Sequence, residues 1–138
     1  SSGHDINISV EKACEIVGEP LGKQLEAASL AVYKRASDYA SERGLIIADT
    51  KFEFGVLEDR LIFIDEALTP DSSRFWATAD YKPGGGQPSF DKQFVRDYLL
   101  TLDWDQTYPG PELPDEITEK TAEKYREAYK RIVGQELK

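Results

Sequence analysis

Ile47-Ala48-Asp49-Thr50-Lys51-Phe52-Glu53-Phe54-Gly55 is the stretch whose reading decides how this chain folds. Successive side chains of a strand turn to opposite faces, so residues two apart share a face. Asp49, Lys51 and Glu53 then form one charged row, and Ala48, Thr50, Phe52 and Phe54 form the other, mostly apolar one. Asp, Glu and Lys are all disfavoured in strands. Two carboxylates with an ammonium between them therefore mark either a solvated sheet face or a working one.

The chain turns back directly after this stretch. Val56 to Asp65 returns through Leu57-Glu58-Asp59-Arg60, which predicts a hairpin, although the turn lacks the favoured Asn-Gly or Asp-Gly pair. The second strand, Leu61-Ile62-Phe63-Ile64, is apolar on both faces and predicts cover on both sides. Paired residues share a sheet face, so Glu53 and Asp65 meet only if their numbers sum to about 118. That needs an odd loop, such as Glu58 to Arg60, or a bulge, and this is the expectation. A two-residue turn at Glu58-Asp59 instead sets Phe52 opposite Asp65.

Helices are expected around this hairpin. Ser9 suits the N-cap of a short helix from Val10 to Val17, with Gly18 ending it. A longer helix should run from about Pro20 to Arg43, its apolar stripe made of Leu21, Leu25, Ala28, Val32, Ala36 and Tyr39. Gly44 then takes the C′ position. Phe75 to Ala79 reads as a short strand, and Tyr81 to Pro88, with Pro83-Gly84-Gly85-Gly86, as a mobile loop. Asp91 opens a helix from Lys92 to Leu100. Asp103 to Pro114 is an irregular crossing, and a last helix spans Asp115 to Val133. The fold class expected is α+β: an antiparallel sheet with a central hairpin, packed by several helices in one domain over residues 1–138.

Composition narrows the function. The chain has 138 residues, 40% of them hydrophobic and 11% aromatic, enough to bury a core. No apolar run approaches the roughly 18 residues that span a bilayer. The single cysteine, Cys14, cannot form an internal disulfide, and a cytoplasmic setting is the default. Cys14 is read as a small buried hydrophobe on a helix. One histidine, His4, leaves little room for a His-based triad or zinc site. The net charge of −9 argues against nucleic acid as a partner. A small anion in a local basic pocket stays open, because Lys51, Arg74, Lys92 and Arg96 lie in the middle of the chain.

Two clusters carry chemistry beyond the central stretch. Magnesium wants hard oxygen ligands and usually takes one or two carboxylates plus phosphate and water. Glu53 and Asp65 can supply that pair, with Lys51 beside them as a point charge for a nucleotide phosphate. The second cluster, Thr69-Pro70-Asp71-Ser72-Ser73-Arg74, suits recognition of phosphate or carboxylate, and is equally ordinary turn chemistry. Asp91, Lys92 and Arg96 stand at the start of a helix, where anions are favoured, or are an N-cap and surface charge.

Taken together, these segments resemble the SAICAR synthetase family, the purine-biosynthesis ligases that make phosphoribosylaminoimidazole-succinocarboxamide. Ile47 to Gly55 is similar to one family block, and Asp65-Glu66-Ala67-Leu68-Thr69-Pro70-Asp71-Ser72-Ser73-Arg74-Phe75-Trp76 to a second. Gln87-Pro88-Ser89-Phe90-Asp91-Lys92-Gln93-Phe94-Val95-Arg96-Asp97 resembles a third, and His4-Asp5-Ile6-Asn7-Ile8-Ser9 a block upstream of the helices. The resemblance implies an ATP-dependent ligase. ATP phosphorylates the carboxylate of carboxyaminoimidazole ribonucleotide, and the amine of L-aspartate displaces the phosphate. It implies that Glu53 and Asp65 hold Mg2+ and that Lys51 contacts nucleotide phosphate or the transferring group, supported by Asp49. Ser73 and Arg74 take the anionic ribonucleotide, with Asp91, Lys92 and Arg96 lining the pocket and His4 and Asp5 reaching the substrate. Complete family members are about twice this length and begin with a β-rich nucleotide-binding lobe that nothing here matches. The chain is therefore expected to be the C-terminal portion of a longer ligase, with the N-terminal lobe in cis or in trans. Two other readings stay open: a domain that binds a phosphorylated metabolite without catalysis, and a helical interaction protein whose charged row is surface.

Overall fold

The computed structural model describes residues 6–88, 90 and 92–137. Its element order is α1 (Val10–Val17), α2 (Glu19–Ser41), β1 (Leu45–Thr50), β2 (Phe54–Leu57), β3 (Arg60–Phe63), β4 (Ser73–Ala77), α3 (Gln93–Leu99) and α4 (Asp115–Val133). This is the α+β arrangement with antiparallel pairing, in which β1 pairs β4 and β2 pairs β3 as two separate two-stranded sheets. Among the described residues, no helix is long and apolar enough to cross a membrane.

The helices end where local chemistry ends them. Ser9 caps α1, its Oγ accepting from the Lys12 amide at 3.2 Å, and Gly18 closes it. Gly44, with φ +69°, takes the left-handed turn after α2, and Gly134, with φ +75°, does the same after α4. Gly22 of α2 is buried against Cys14 of α1, where a Cβ would meet the sulfur. That is how α1 docks, and Cys14 is half-buried there.

The core lies between β1, β4, α2 and α4. It consists of Ala40, Leu45, Ile47, Phe75, Ala77, Phe90 and Ala128, with Tyr33, Ala36, Leu68 and Ile132 packed against it. Tyr33 donates its hydroxyl to the Ile47 carbonyl at 2.7 Å, fixing α2 on β1. Phe90 donates its amide to the Phe75 carbonyl at 3.0 Å, tying the segment before α3 to β4.

Three expectations are corrected. The strand expected through Ile47 to Gly55 is divided: β1 stops at Thr50, residues 51–53 leave the ladder, and β2 starts at Phe54. The chain changes partner there: the Lys51 amide still donates to the Ser72 carbonyl at 2.9 Å, next to the Thr50–Ser73 pair, while the Glu53 carbonyl already accepts from the Ile64 amide at 3.2 Å. The hairpin does not use an odd loop. Its register is Phe54–Phe63, Gly55–Ile62, Val56–Leu61 and Leu57–Arg60, closed by a two-residue turn. Glu58 and Asp59 have φ of +50° and +59°, a type I′ signature whose twist matches the flanking strands despite the missing glycine. Finally, β3 is not covered on both sides: Ile62, Phe63 and Ile64 are exposed.

Candidate phosphate and metal site

A bulge in β1 creates the site. The pairing runs Leu45–Ala77, Ile46–Trp76 and Ile47–Phe75, then resumes at Asp49–Arg74 and Thr50–Ser73, so Ala48 is skipped. Leu45, Ile47, Phe75, Ala77 and Ser73 are all buried on the inner face. Simple alternation would carry Asp49 onto that face. One extra residue reverses the parity and re-aims the side chain, as bulges do. Asp49 is thereby turned out of the core and set opposite Arg74. Thr50 is turned inward instead, where its Oγ1 accepts from Ser73 Oγ at 2.8 Å.

Arg74 grips Asp49 with two donors. Nε donates to Oδ1 at 2.8 Å and Nη2 to Oδ2. The hydrogen bond from Arg74, reinforced by its charge, holds the Asp49 carboxyl below its ordinary value. Lys51 lies beyond the bulge, and its Nζ is 2.6 Å from Glu53 Oε1.

The loop between β3 and β4 is tied by its own hydroxyls. Thr69 Oγ1 donates to Glu66 Oε2 at 2.9 Å, and the Thr69 amide donates to Ser72 Oγ at 3.1 Å. The Ser72 and Ser73 amides both reach the Thr69 carbonyl, at 3.2 and 2.9 Å. From α4, Tyr125 donates its hydroxyl to Asp71 Oδ1 at 3.3 Å.

Two neighbouring cavities result. The first, about 270 Å³, is lined by Asp49, Pro70, Asp71, Ser72, Ser73, Arg74, Lys92 and Arg96. Three cations against two carboxylates make it suited to an anion. The second, about 190 Å³, is lined by Lys51, Glu53, Asp65, Glu66, Asp71, Ser72 and Lys92. Four carboxylates against two cations make it suited to a cation, or to a cation carrying phosphate. Asp71, Ser72 and Lys92 are common to both.

The donor set of the second cavity fits magnesium. Among the described residues no group of three or more His, Cys, Asp or Glu side chains converges to hold a metal. Magnesium does not require one, because a carboxylate pair with phosphate and water completes its shell.

Most of the residues singled out in the sequence are brought together. Asp49, Ser73, Arg74, Lys92 and Arg96 line the anion cavity, and Lys51, Glu53 and Asp65 line the other. Glu53 and Asp65 share a cavity even though the hairpin lacks the odd loop that would have paired them. The ladder ends just beyond Phe54–Phe63, where the Ile64 amide donates to the Glu53 carbonyl at 3.2 Å. Asp65 therefore leaves from the end of the ladder and escapes the alternation rule. Ser73 presents a hydroxyl already bonded to Thr50, so it is a wall of the cavity more than an arm into it. His4, Asp5 and Asp91 lie outside the described residues. Sequence reasoning gave Glu66, Asp71, Ser72 and Tyr125 no individual role in the site. Asp71 and Ser72 stood in the quoted loop, but only the fold shows that they wall both cavities.

A family model described as SAICAR synthetase matches residues 1–111. Phosphoribosylaminoimidazole-succinocarboxamide synthase of Geobacter sulfurreducens is 58% identical over 131 residues, covering 95% of this chain and 44% of that relative. The enzyme of the same name from Rhodopirellula baltica is 58% identical over 132 residues, 96% of this chain and 41% of that relative. Among solved structures, SAICAR-synthase from Saccharomyces cerevisiae complexed with SAICAR superposes with TM-score 0.87 at 46% identity, covering 96% of this chain and 45% of that one. A SAICAR synthetase in complex with ADP gives TM-score 0.67 at 26% identity, covering 98% and 48%. The chain thus spans less than half the length of the relatives it matches.

Proposed function

This chain belongs to the SAICAR synthetase family, and from that premise we propose that it is the C-terminal portion of a ligase joining L-aspartate to carboxyaminoimidazole ribonucleotide. ATP is the phosphoryl donor, and the rest of the nucleotide site comes from an N-terminal lobe in cis or in trans. The observation that carries the reading is the pair of abutting cavities of opposite charge balance, sharing Asp71, Ser72 and Lys92. Such a pair matches a reaction in which one substrate is a phosphorylated ribonucleotide and the other a metal-bound nucleotide. Further support comes from the yeast relative, described as complexed with SAICAR, and from the relative in complex with ADP.

The roles follow from the residue types. Arg74, Lys92 and Arg96 bind the ribonucleotide's anionic groups, and Asp49 holds the Arg74 guanidinium in place for a forked contact. Ser73 and Asp71 shape that pocket. Glu53 and Asp65 hold magnesium, which supplies charge neutralisation during phosphoryl transfer. Lys51, steadied by Glu53, faces the transferring phosphoryl group. The γ-phosphoryl passes from ATP to the substrate carboxylate; the aspartate amine then attacks the acyl carbon, a C–N bond forms, and phosphate leaves with the C–O pair. Positioning and preorganised charge do most of the work in such steps.

A calorimetric titration with the ribonucleotide, with and without magnesium, tests the binding side. A turnover assay with ATP, magnesium and aspartate tests the rest. The expected result is ribonucleotide binding with turnover far below that of a longer relative. Absence of binding refutes the site, and full turnover by this chain refutes its status as a portion. Binding with no turnover at all favours the second reading, a metabolite-binding portion, which the chain's coverage of under half its relatives supports.

A further inference from the structure

Two arginines line the anion cavity, and they are held by different chemistry. Arg74 is gripped by a carboxylate, Asp49, which offsets much of its charge. Arg96 is held by a neutral group. Its Nη1 donates to Gln93 Oε1 at 3.0 Å, and Gln93 Nε2 donates in turn to Asp97 Oδ1 at 2.6 Å. Among the described residues Arg96 forms no ion pair, and the Asp97 carboxylate stands behind the amide.

This arrangement is local and has one orientation. All three residues belong to α3, with Gln93 three and four positions before its partners, the spacing at which side chains meet on a helix. A guanidinium only donates and an ionised carboxylate only accepts. The amide oxygen must therefore face Arg96, and the amide nitrogen must face Asp97. Gln93 is half-buried, whereas Arg96 and Asp97 are exposed. An amide fastened at one end presents a fixed acceptor at the other, and the bond to Asp97 polarises that acceptor. Gln93 itself is not part of the anion cavity's lining. With Asp97 and Arg74 it lines a neighbouring space of about 710 Å³.

We propose that Gln93 is a positioning residue for anion binding: it aims the Arg96 guanidinium into the cavity and leaves that charge to the ligand. Asp49 fixes the fork of Arg74, and Gln93 preserves positive potential at Arg96. A cavity that also contains Asp49 and Asp71 thereby stays attractive to an anion. The inference rests on the reading of this cavity as the seat of the ribonucleotide's anionic groups, and adds to it a residue that acts through Arg96.

A double-mutant cycle tests it, with carboxyaminoimidazole ribonucleotide and, separately, inorganic phosphate titrated into this chain. Gln93→Met keeps the length of the side chain and removes both bonds. It should weaken binding about 2- to 10-fold, the range of one ordinary hydrogen bond. In an Arg96→Ala background the same change should have no measurable effect. Gln93→Glu sets a carboxylate against Arg96 and should bind more weakly than Gln93→Met at low salt, the gap closing as ionic strength rises. An effect of Gln93→Met that persists undiminished in the Arg96→Ala background overturns the proposal, because Gln93 would then touch the ligand itself or merely support the fold. Binding as tight as the parent's by Gln93→Met, or by Gln93→Glu at low salt, overturns it as well. Phosphate binding with the expected coupling but no ribonucleotide binding refutes the ligase reading and leaves the role of Gln93 standing. A parent chain that binds neither overturns both.

Discussion

Replacing Arg74 separates a binding role from a structural one, because the two differ in expected size. The Arg74–Asp49 pair is forked but about half exposed, with side-chain exposures of 53% and 54%. Exposed pairs contribute about 0.2–1 kcal/mol. In a domain of this size, losing about 1 kcal/mol lowers Tm by about 3–4 °C. A hydrogen bond to a charged ligand group is worth more, about 1.5–3 kcal/mol, or roughly 10- to 150-fold in affinity. Arg74→Ala should therefore weaken ribonucleotide binding by that factor with only a small thermal shift. Arg74→Lys keeps the charge and loses the fork, so it should still cost about tenfold. Calorimetric titration at low and moderate salt, beside thermal melts, reads both quantities. If Arg74→Lys binds within about twofold of the parent, or if lost affinity comes with a collapse in Tm, the forked-contact reasoning is wrong.

Glu53→Gln should leave thermal stability nearly unchanged, since it breaks one exposed pair with Lys51; magnesium-dependent gain in nucleotide affinity, measured by titration with and without the ion, should disappear. Because the Asp49 carboxyl is held below its ordinary 3.8, its contribution to stability is fully present above that value. It is lost as pH falls through the lowered folded value, and Asp49→Asn should flatten that part of a denaturant-midpoint profile from pH 5 to pH 2. Phe75 is 1% exposed at the centre of the core, and Phe75→Ala should cost about 3–5 kcal/mol by chemical denaturation, enough to dissolve both cavities. Gly22→Ala should destabilise by forcing Cys14 away, and Cys14→Ala in the same chain should recover part of the loss; strictly additive melts would refute that contact.

How much of this was legible in the sequence depended on whether the cause was local. α1 and α4 fall on their expected bounds because Ser9 and Gly134 act within a turn of the helix they end. The hairpin was legible as a hairpin, but its register was not, because Glu58 and Asp59 adopt positive φ without the glycine that usually announces it. The division of the central strand is a change of partner, from Ser72 at Lys51 to Ile64 at Glu53, and neither partner is a near neighbour in sequence. The Ala48 bulge has no signature of its own; an alanine reads the same in or out of register. The site's residues were nonetheless largely identifiable, since charges in a strand and a Pro-Asp-Ser-Ser-Arg loop are conspicuous by type. Their grouping into a Lys51–Glu53–Asp65 set and a Ser73–Arg74–Lys92–Arg96 set was readable too; the wall of Asp71, Ser72 and Lys92 shared by the two cavities was not, because it follows from how the loop before β4 folds between them.

The wall shared by the two cavities has a consequence for how ligands act on each other. Asp71, Ser72 and Lys92 face both spaces, so occupants of the two are not independent. On the proposed roles, a divalent cation against Glu53 and Asp65 would offset local negative charge and strengthen the hold on an anion next door. An anion that engages Lys92 on one side draws that charge from the other. Linkage makes such effects reciprocal: whatever factor the metal adds to ribonucleotide affinity, the ribonucleotide adds to metal affinity. Between sites this close, a coupling of about 1–3 kcal/mol is ordinary, which corresponds to roughly 5- to 150-fold. Such coupling would rest on three side chains and need no moving part.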